Sequence, residues 1–254
     1  MGGLKAALAA GELQTGLWLD LASADVAEIA GGAGFDWCLI DCEHGPNDVG
    51  TTLAQLRALD AAGCEAIVRV ARNDPVLLGR ALDIGARAVM VPMVESAEAA
   101  AAAVAACRYP PAGRRGVGAM VARASRWGRE ADYAARADAE ICVVVQAETR
   151  AAMERLAEIA AAPGVDGVFI GPADLAADLG HPGRPDHPEA RAVMEAGIAT
   201  IRAAGAAPGI LAFDPAAFAG WARLGVTMLG VGADSVVLQT ALAALARQAR
   251  DAAP

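Results

Sequence analysis

Lysine is almost missing from this chain: Lys5 is the single one among 254 residues, and it precedes the first apolar run. Chemistry that forms a Schiff base, with a carbonyl substrate or with a pyridoxal cofactor, needs a lysine at the reacting centre. Both are therefore excluded unless Lys5 reaches that centre. Apolar runs of membrane length are also missing, none approaching the ~18 residues needed to span a bilayer. The apolar share is nevertheless 56%, above the usual range of about 45–50%. Much of the excess is alanine, which indicates helices packed through small residues. The five cysteines contain no C-x-x-C pair, so they read as buried reduced thiols rather than a metal or redox motif. A formal net charge of -9 leaves no basic footprint for nucleic acid. The brief Ala/Leu stretch after Lys5, cut by Gly11 and Glu12, is too weak for a signal peptide, and a cytoplasmic protein is expected.

What is present is a recurring short apolar run. Such runs fall at Gly16–Leu21, Trp37–Cys42, Ala66–Val70, Ala88–Val94, Ile141–Val145, Gly167–Ile170, Pro208–Ala212 and Met228–Val231. Several lack polar alternation, as strands buried on both faces of a parallel sheet do. Helical patterns lie between them. Leu53, Leu56 and Leu59 repeat at three-residue spacing, and Leu238, Ala241, Leu242 and Leu245 follow the i, i+3, i+4, i+7 rule. Asp74-Pro75 and Asp214-Pro215 mark helix starts, with an Asp N-cap before proline in the first turn. Eight strands alternating with helices predict an α/β fold, the (β/α)8 TIM barrel, spanning residues 1–254 as a single domain; a doubly wound sheet rarely needs eight such units. Two stretches break the repeat: a Gly/Arg-rich insertion from Tyr109 to Arg129, and G-H-P-G-R-P-D-H-P from Gly180 to Pro188. Long loops in a compact domain are often functional.

Active sites of such barrels lie at the C-terminal ends of the strands. The second run ends in D-C-E-H-G-P, with Asp41, Glu43 and His44; the third ends at Arg69; the fifth leads to Gln146 and Glu148; the sixth leads to Asp174; the eighth offers Gly230, Gly232 and Asp234. Gln146 and Glu148 share a face, because residues two apart along a strand point the same way. Carboxylates on neighbouring strand ends, Glu148 and Asp174, without cysteine or a second histidine nearby, suit a hard cation with oxygen ligands, Mg2+ or Mn2+. The competing reading pairs each carboxylate with an arginine or makes it a helix cap. If this barrel makes or breaks a carbon–carbon bond beside a ketone, the absence of a barrel lysine leaves a metal as the electron sink. His44 is the one histidine at a strand end and is placed as a general base; His181 and His187 read as loop residues at the surface or an interface. Arg69 ends an apolar strand and needs an anionic partner, for which a substrate oxyanion or a carboxylate would serve.

At these strand ends the sequence resembles the HpcH/HpaI aldolase family, class II pyruvate aldolases that include 4-hydroxy-2-oxoheptanedioate and 2-dehydro-3-deoxyglucarate aldolases. The matching pieces are D-C-E-H-G-P at Asp41–Pro46, V-R-V at Val68–Val70, L-D-I-G-A at Leu82–Ala86 and V-P-M-V at Val91–Val94. Next come R-R-G-V-G with A-R-A-S-R-W within Arg114–Trp127, Q-A-E at Gln146–Glu148 and I-G-P-A-D-L at Ile170–Leu175. The resemblance implies a lyase in which Glu148 and Asp174 ligate a divalent metal, with Mg2+ or Mn2+ first and Co2+ or Zn2+ as further candidates. His44 would be the base, or part of a base–water relay, and Arg69 would stabilise the enolate oxygen of pyruvate. Backbone N–H groups at Ala173 and Asp174 would hold the pyruvate carboxylate, and Gln146 would contact the keto acid. Trp18 and Leu211 would line the aldehyde pocket. Asp83, by the same resemblance, pairs with the catalytic histidine of a neighbouring subunit, implying a homohexamer with shared active sites. The partners are then a 2-oxo acid and an aldehyde, with no nucleic acid and no membrane. Two other readings stand beside this one. A related barrel lyase could act on a thioester or phosphorylated substrate, with Gly230 and Gly232 at phosphate rather than in a tight strand-to-helix turn. A non-catalytic protein could bind a keto acid and metal, but it would have no need of a base.

Overall fold

The computed structural model describes residues 3–252. Eight parallel strands form a closed barrel in sequence order: β1 (Gln14–Leu19), β2 (Trp37–Asp41), β3 (Glu65–Arg69), β4 (Ala88–Val91), β5 (Cys142–Ala147), β6 (Gly167–Ile170), β7 (Ala207–Leu211) and β8 (Met228–Ala233), with β8 paired to β1. Helices run between them on the outside, as the sequence predicts for a (β/α)8 barrel. No helix among the described residues is long and apolar enough to cross a membrane.

The apolar residues sort into two layers by strand parity. Trp18, Trp37, Leu39, Ile67, Met90, Val144 and Phe169 fill the barrel interior. Their neighbours Leu17, Cys38, Ile40, Val68, Val89, Val143 and Val168 face the helices. This double burial explains the lack of polar alternation in the runs. Gly16 makes room for the indole of Trp37, because a Cβ there would lie inside the ring. The cysteines are all free thiols, four of them buried.

The N-terminal helix Leu4–Ala9 closes the bottom of the barrel, with Leu4 and Leu8 joining the interior layer. Lys5 is held there, its Nζ donating to the carbonyl of Ile141 at 2.9 Å and lying 3.3 Å from Asp166. Both partners precede strands, at the end opposite the mouth. The chain's one lysine is therefore at the wrong pole for Schiff-base chemistry.

Some expected boundaries move. β1 begins at Gln14 rather than Gly16, because Gln14 and Thr15 pair with Met228 and Leu229. β4 stops at Val91, not Val94: Pro92 lacks a ladder donor, and Met93 turns into the left-handed region at φ 53°. The insertion from Tyr109 to Arg129 has only a short 3-10 turn at Arg123–Ser125. The leucine stripe near the C-terminus does lie on a helix, Asp234–Asp251, but Leu238, Leu242 and Leu245 point outward and only Asp234 of that helix is buried.

Candidate active site

The parity that puts Ile67 inside the barrel also puts Arg69 inside, and Leu39 is followed in the same sense by Asp41. These two are register partners across β2 and β3. Arg69 grips Asp41 with two parallel hydrogen bonds, Nε to Oδ1 at 2.8 Å and Nη2 to Oδ2 at 2.6 Å. Both side chains are buried. Burial alone would raise the Asp41 carboxyl, but the Arg69 hydrogen bonds and charge outweigh it and hold it below the ordinary carboxylate range. The remaining edge of the guanidinium, Nη1, points along the mouth to Glu43 Oε2 at 3.0 Å and Gln146 Oε1 at 3.4 Å. Of the two partners open to Arg69 from sequence, the carboxylate is the one in place, and Nη1 is the edge that faces the site.

Asp41 also shapes the turn after β2. Its Oδ1 accepts the N–H groups of Glu43 at 3.0 Å and His44 at 3.4 Å, which brings the E-H-G segment back over the strand end. His44 itself is free, its side chain 66% exposed and its Nε2 3.9 Å from Glu43 Oε2.

Glu148 follows directly on β5 and is 2% exposed. Its Oε1 accepts the N–H of Met93 at 2.9 Å; the left-handed turn at Met93 is what aims that donor. Its Oε2 is buried without a hydrogen-bond partner among the described residues. Gly171, at the end of β6, leaves the space this oxygen occupies, since a Cβ there would run into Glu148 Oε2. Burial pushes the Glu148 carboxyl up to about 7; the Met93 N–H opposes this, and the nearby Asp174 and Glu43 carboxylates add to it. Asp174 lies exposed in the first turn of the helix Pro172–Asp178, whose N-cap Gly171 supplies no side-chain cap. The N–H groups of Ala173 and Asp174 have no intrahelical acceptor there. An unpartnered buried oxygen beside a second carboxylate, with no arginine or lysine bonded to either, fits a hard divalent cation.

The mouth encloses a cavity of about 570 Å³ whose lining includes Trp18, His44, Arg69, Gln146, Asp174 and Leu211. Seven of the nine residues to which the resemblance gives a role line this cavity, and Glu148 lies just behind its wall, against Gly171. Asp83 stands apart. It ends the helix Pro75–Asp83 and pairs with Arg115 Nη2 at 2.8 Å. That guanidinium is fully buried over the ring of Tyr109, 4.5 Å from its centroid. Among the described residues no hydrogen bond or ion pair joins Asp83 to His44 of the same chain.

Sequence reading missed two members of the site. Asp20, two residues beyond Trp18 and so of the same parity, lines the cavity with one oxygen, Oδ1, unpartnered. Burial, then the Asp41 and Asp234 carboxylates, push it up to about 6. The signal was there, in the one charged residue of the apolar run Gly16–Leu21. Met93 gave no signal, because nothing in V-P-M-V marks a methionine for a left-handed turn. Asp234 ties the ends of β8 and β1 together by accepting the N–H of Asp20 at 2.8 Å and of Leu21 at 3.2 Å. Gly230 and Gly232 lie within β8 itself. Gly230 is packed so closely on Trp18 that no side chain would fit.

A family model described as HpcH/HpaI aldolase/citrate lyase matches residues 14–241. The chain belongs to this family. Among HpcH/HpaI relatives, a 4-hydroxy-2-oxo-heptane-1,7-dioate aldolase of Salmonella dublin is 52% identical over 242 residues, covering 95% of this chain and 92% of the relative. A solved HpcH/HpaI aldolase/citrate lyase family protein of Burkholderia cenocepacia superposes with a TM-score of 0.94 at 42% identity, over 98% of this chain and 100% of its own. The HpcH/HpaI aldolase of Desulfitobacterium hafniense gives 0.90 at 32% identity, over 100% and 98%. The chain is accordingly an enzyme of the carbon–carbon lyase type.

Proposed function

We propose that this protein is a metal-dependent class II pyruvate aldolase of the cytoplasm, reversibly cleaving 4-hydroxy-2-oxo acids to pyruvate, or hydroxypyruvate, and an aldehyde. The observation that carries this reading is the unpartnered, buried oxygen of Glu148 beside Asp174, at the pole opposite the only lysine. Glu148 and Asp174 hold the cation. Their all-oxygen character favours Mg2+ or Mn2+, with Co2+ and Zn2+ admissible. When bound, the ion supplies Lewis acidity toward the keto and carboxylate oxygens of the 2-oxo acid, making its methyl protons acidic.

The chain's own residues do the rest. The N–H groups of Ala173 and Asp174 receive the substrate carboxylate. Arg69, fixed by Asp41, presents Nη1 to the oxygen on which charge develops, an arrangement that needs no reorganisation during the reaction. Gln146 sits against the same edge of Arg69 and positions the keto acid. His44, exposed at the rim, takes the methyl proton directly or through water, and returns it in cleavage. Trp18 and Leu211 give the aldehyde an apolar wall. Asp83 of a neighbouring copy completes the base by orienting His44, in a homo-oligomer that we place at six subunits. Two features support assembly: Asp83 pairs with Arg115 and does not line its own chain's mouth, and the leucine stripe of the helix Asp234–Asp251 points outward, an apolar face of the kind that marks interaction sites.

The direct test is exchange of pyruvate methyl protons in heavy water, followed by NMR with added Mn2+ and after chelation. Exchange that requires the metal and vanishes in Glu148→Ala is expected. Undiminished exchange or cleavage after chelation would overturn the reading.

A further inference from the structure

The loop G-H-P-G-R-P-D-H-P has no part in the chemistry above, yet it holds two of the chain's three histidines. His181 lies just past the helix Pro172–Asp178, its N–H bonded to the carbonyl of Ala176 at 2.7 Å. His187 is the N-cap of the helix Pro188–Ala203, and Glu189 is in that helix's first turn. The chain folds so that the two ends of the loop meet. The imidazoles of His181 and His187 stack with centroids 3.4 Å apart at an interplanar angle of 20°. His181 Nε2 lies 2.7 Å from Glu189 Oε2. One ligand atom from each of the three residues lies within 4.8 Å of the others.

We propose that His181, His187 and Glu189 form a second cation site, selective for a borderline transition-metal ion such as Zn2+, that clasps the two ends of this loop. An ion pair between His181 and Glu189 would need no second imidazole. With it, the set becomes two nitrogens and one carboxylate oxygen, the donor combination of zinc sites with a solvent-filled fourth position. Tetrahedral bonds of about 2.0–2.1 Å would put the donors roughly 3.3 Å apart. The His181–Glu189 pair then opens slightly from 2.7 Å, and any wider separation, at most 4.8 Å, closes by about 1.5 Å or less. Side-chain rotation on a surface loop supplies such movements. The donor chemistry also separates this site from the mouth. Imidazole suits Zn2+, Ni2+ and Cu2+, whereas the carboxylate pair at the mouth suits hard cations.

The placement gives the clasp a consequence. Pro185 and Asp186, inside the closed loop, line an apolar cavity of about 280 Å³ with Pro172, Ala173, Leu211 and Phe213. Those last four residues also line the mouth. A metal drawing the loop ends together fixes the outer wall of a pocket that opens beside the substrate site.

Zinc binding to full-length protein carrying Glu148→Gln, which silences the mouth, tests this by calorimetric titration. One Zn2+ per chain is expected, and none after His181→Ala and His187→Ala are added. Cu2+ bound to the Glu148→Gln protein should show nitrogen hyperfine coupling in its EPR spectrum, lost with the histidines. Circular dichroism of each variant confirms that it is folded. Stoichiometry unchanged by removal of both histidines, or bound Cu2+ without nitrogen coupling, would overturn the proposal. So would a Glu148→Gln protein that binds no zinc at micromolar concentration.

Discussion

The substitution Glu148→Gln separates what the mouth costs the fold from what it gives the chemistry. In metal-free protein the buried Glu148 carboxyl titrates at about 7 instead of the ordinary 4.5, a difference worth about 3 kcal/mol. The unfolded chain releases this proton near 4.5 and the folded chain keeps it until about 7. Over that window the folded state binds more protons, so stability falls as pH rises, and above pH 7 the whole penalty is in force. The side chain is 2% exposed, so solvent screens little of it. A neutral glutamine keeps the acceptor for the Met93 N–H and removes the charge. At pH 8 in chelator, Glu148→Gln should therefore be more stable than wild type by up to about 3 kcal/mol, which for a chain of this size is roughly 6–12 °C in Tm. At pH 5 less than about 1 kcal/mol of this should remain. Metal nearly cancels this difference. At one hundred times its Kd, an ion that binds only the folded state adds about 2.7 kcal/mol, and wild type alone should gain it. Thermal unfolding by circular dichroism at the two pH values, with chelator and with Mn2+, measures all four quantities. A lower Tm for the variant at pH 8 in chelator, or an equal gain at pH 5, would refute the argument.

Three other substitutions probe separate parts of the mouth. Asp41→Asn removes the more deeply buried of Arg69's two carboxylate partners and leaves only Glu43, a loss expected to cost up to about 3 kcal/mol; urea unfolding with an unchanged midpoint would contradict it. Gly171→Ala places a Cβ against Glu148 Oε2 and Gln146, so calorimetry should show Mn2+ affinity lowered at least tenfold while the far-ultraviolet spectrum stays that of wild type. His44→Ala and Asp83→Ala should each be nearly inactive alone. Mixed and refolded together, they should recover activity, because some sites then receive His44 from one chain and Asp83 from another; no recovery in verified mixed oligomers would mean that Asp83 acts elsewhere.

The barrel was legible because burial on both faces leaves the same mark in every strand: a short run without polar alternation, ended by Gly, Pro or a charge. Trp37 to Asp41 and Gly167 to Ile170 could be read from that mark almost to the residue. Where the mark fails, the boundary moves. Gln14 and Thr15 pair as strand without being apolar, and Pro92 to Val94 continues the apolar run without being strand. Within the site, Glu148 and Asp174 were legible as carboxylates ending apolar runs, and Lys5 by its isolation. The Asp41–Arg69 pair required the register between two strands, which no single segment contains. The role of Met93 required a backbone angle that its side chain does not encode.

Charge unites these observations. Asp20, Asp41, Glu43, Glu148 and Asp174 surround the mouth, and among the described residues the only arginine bonded to them is Arg69, already committed to Asp41 and Glu43. Three of the five, Asp20, Glu43 and Glu148, are pushed above their ordinary range, by burial first and by neighbouring carboxylates after it. Polypeptide chains relieve such a cluster with lysine, and this barrel has none above its floor. A divalent cation held by Glu148 and Asp174 would supply the missing positive charge together with Lewis acidity that an ammonium group lacks. The same imbalance that weakens the metal-free barrel would thus favour the ion proposed to carry its chemistry.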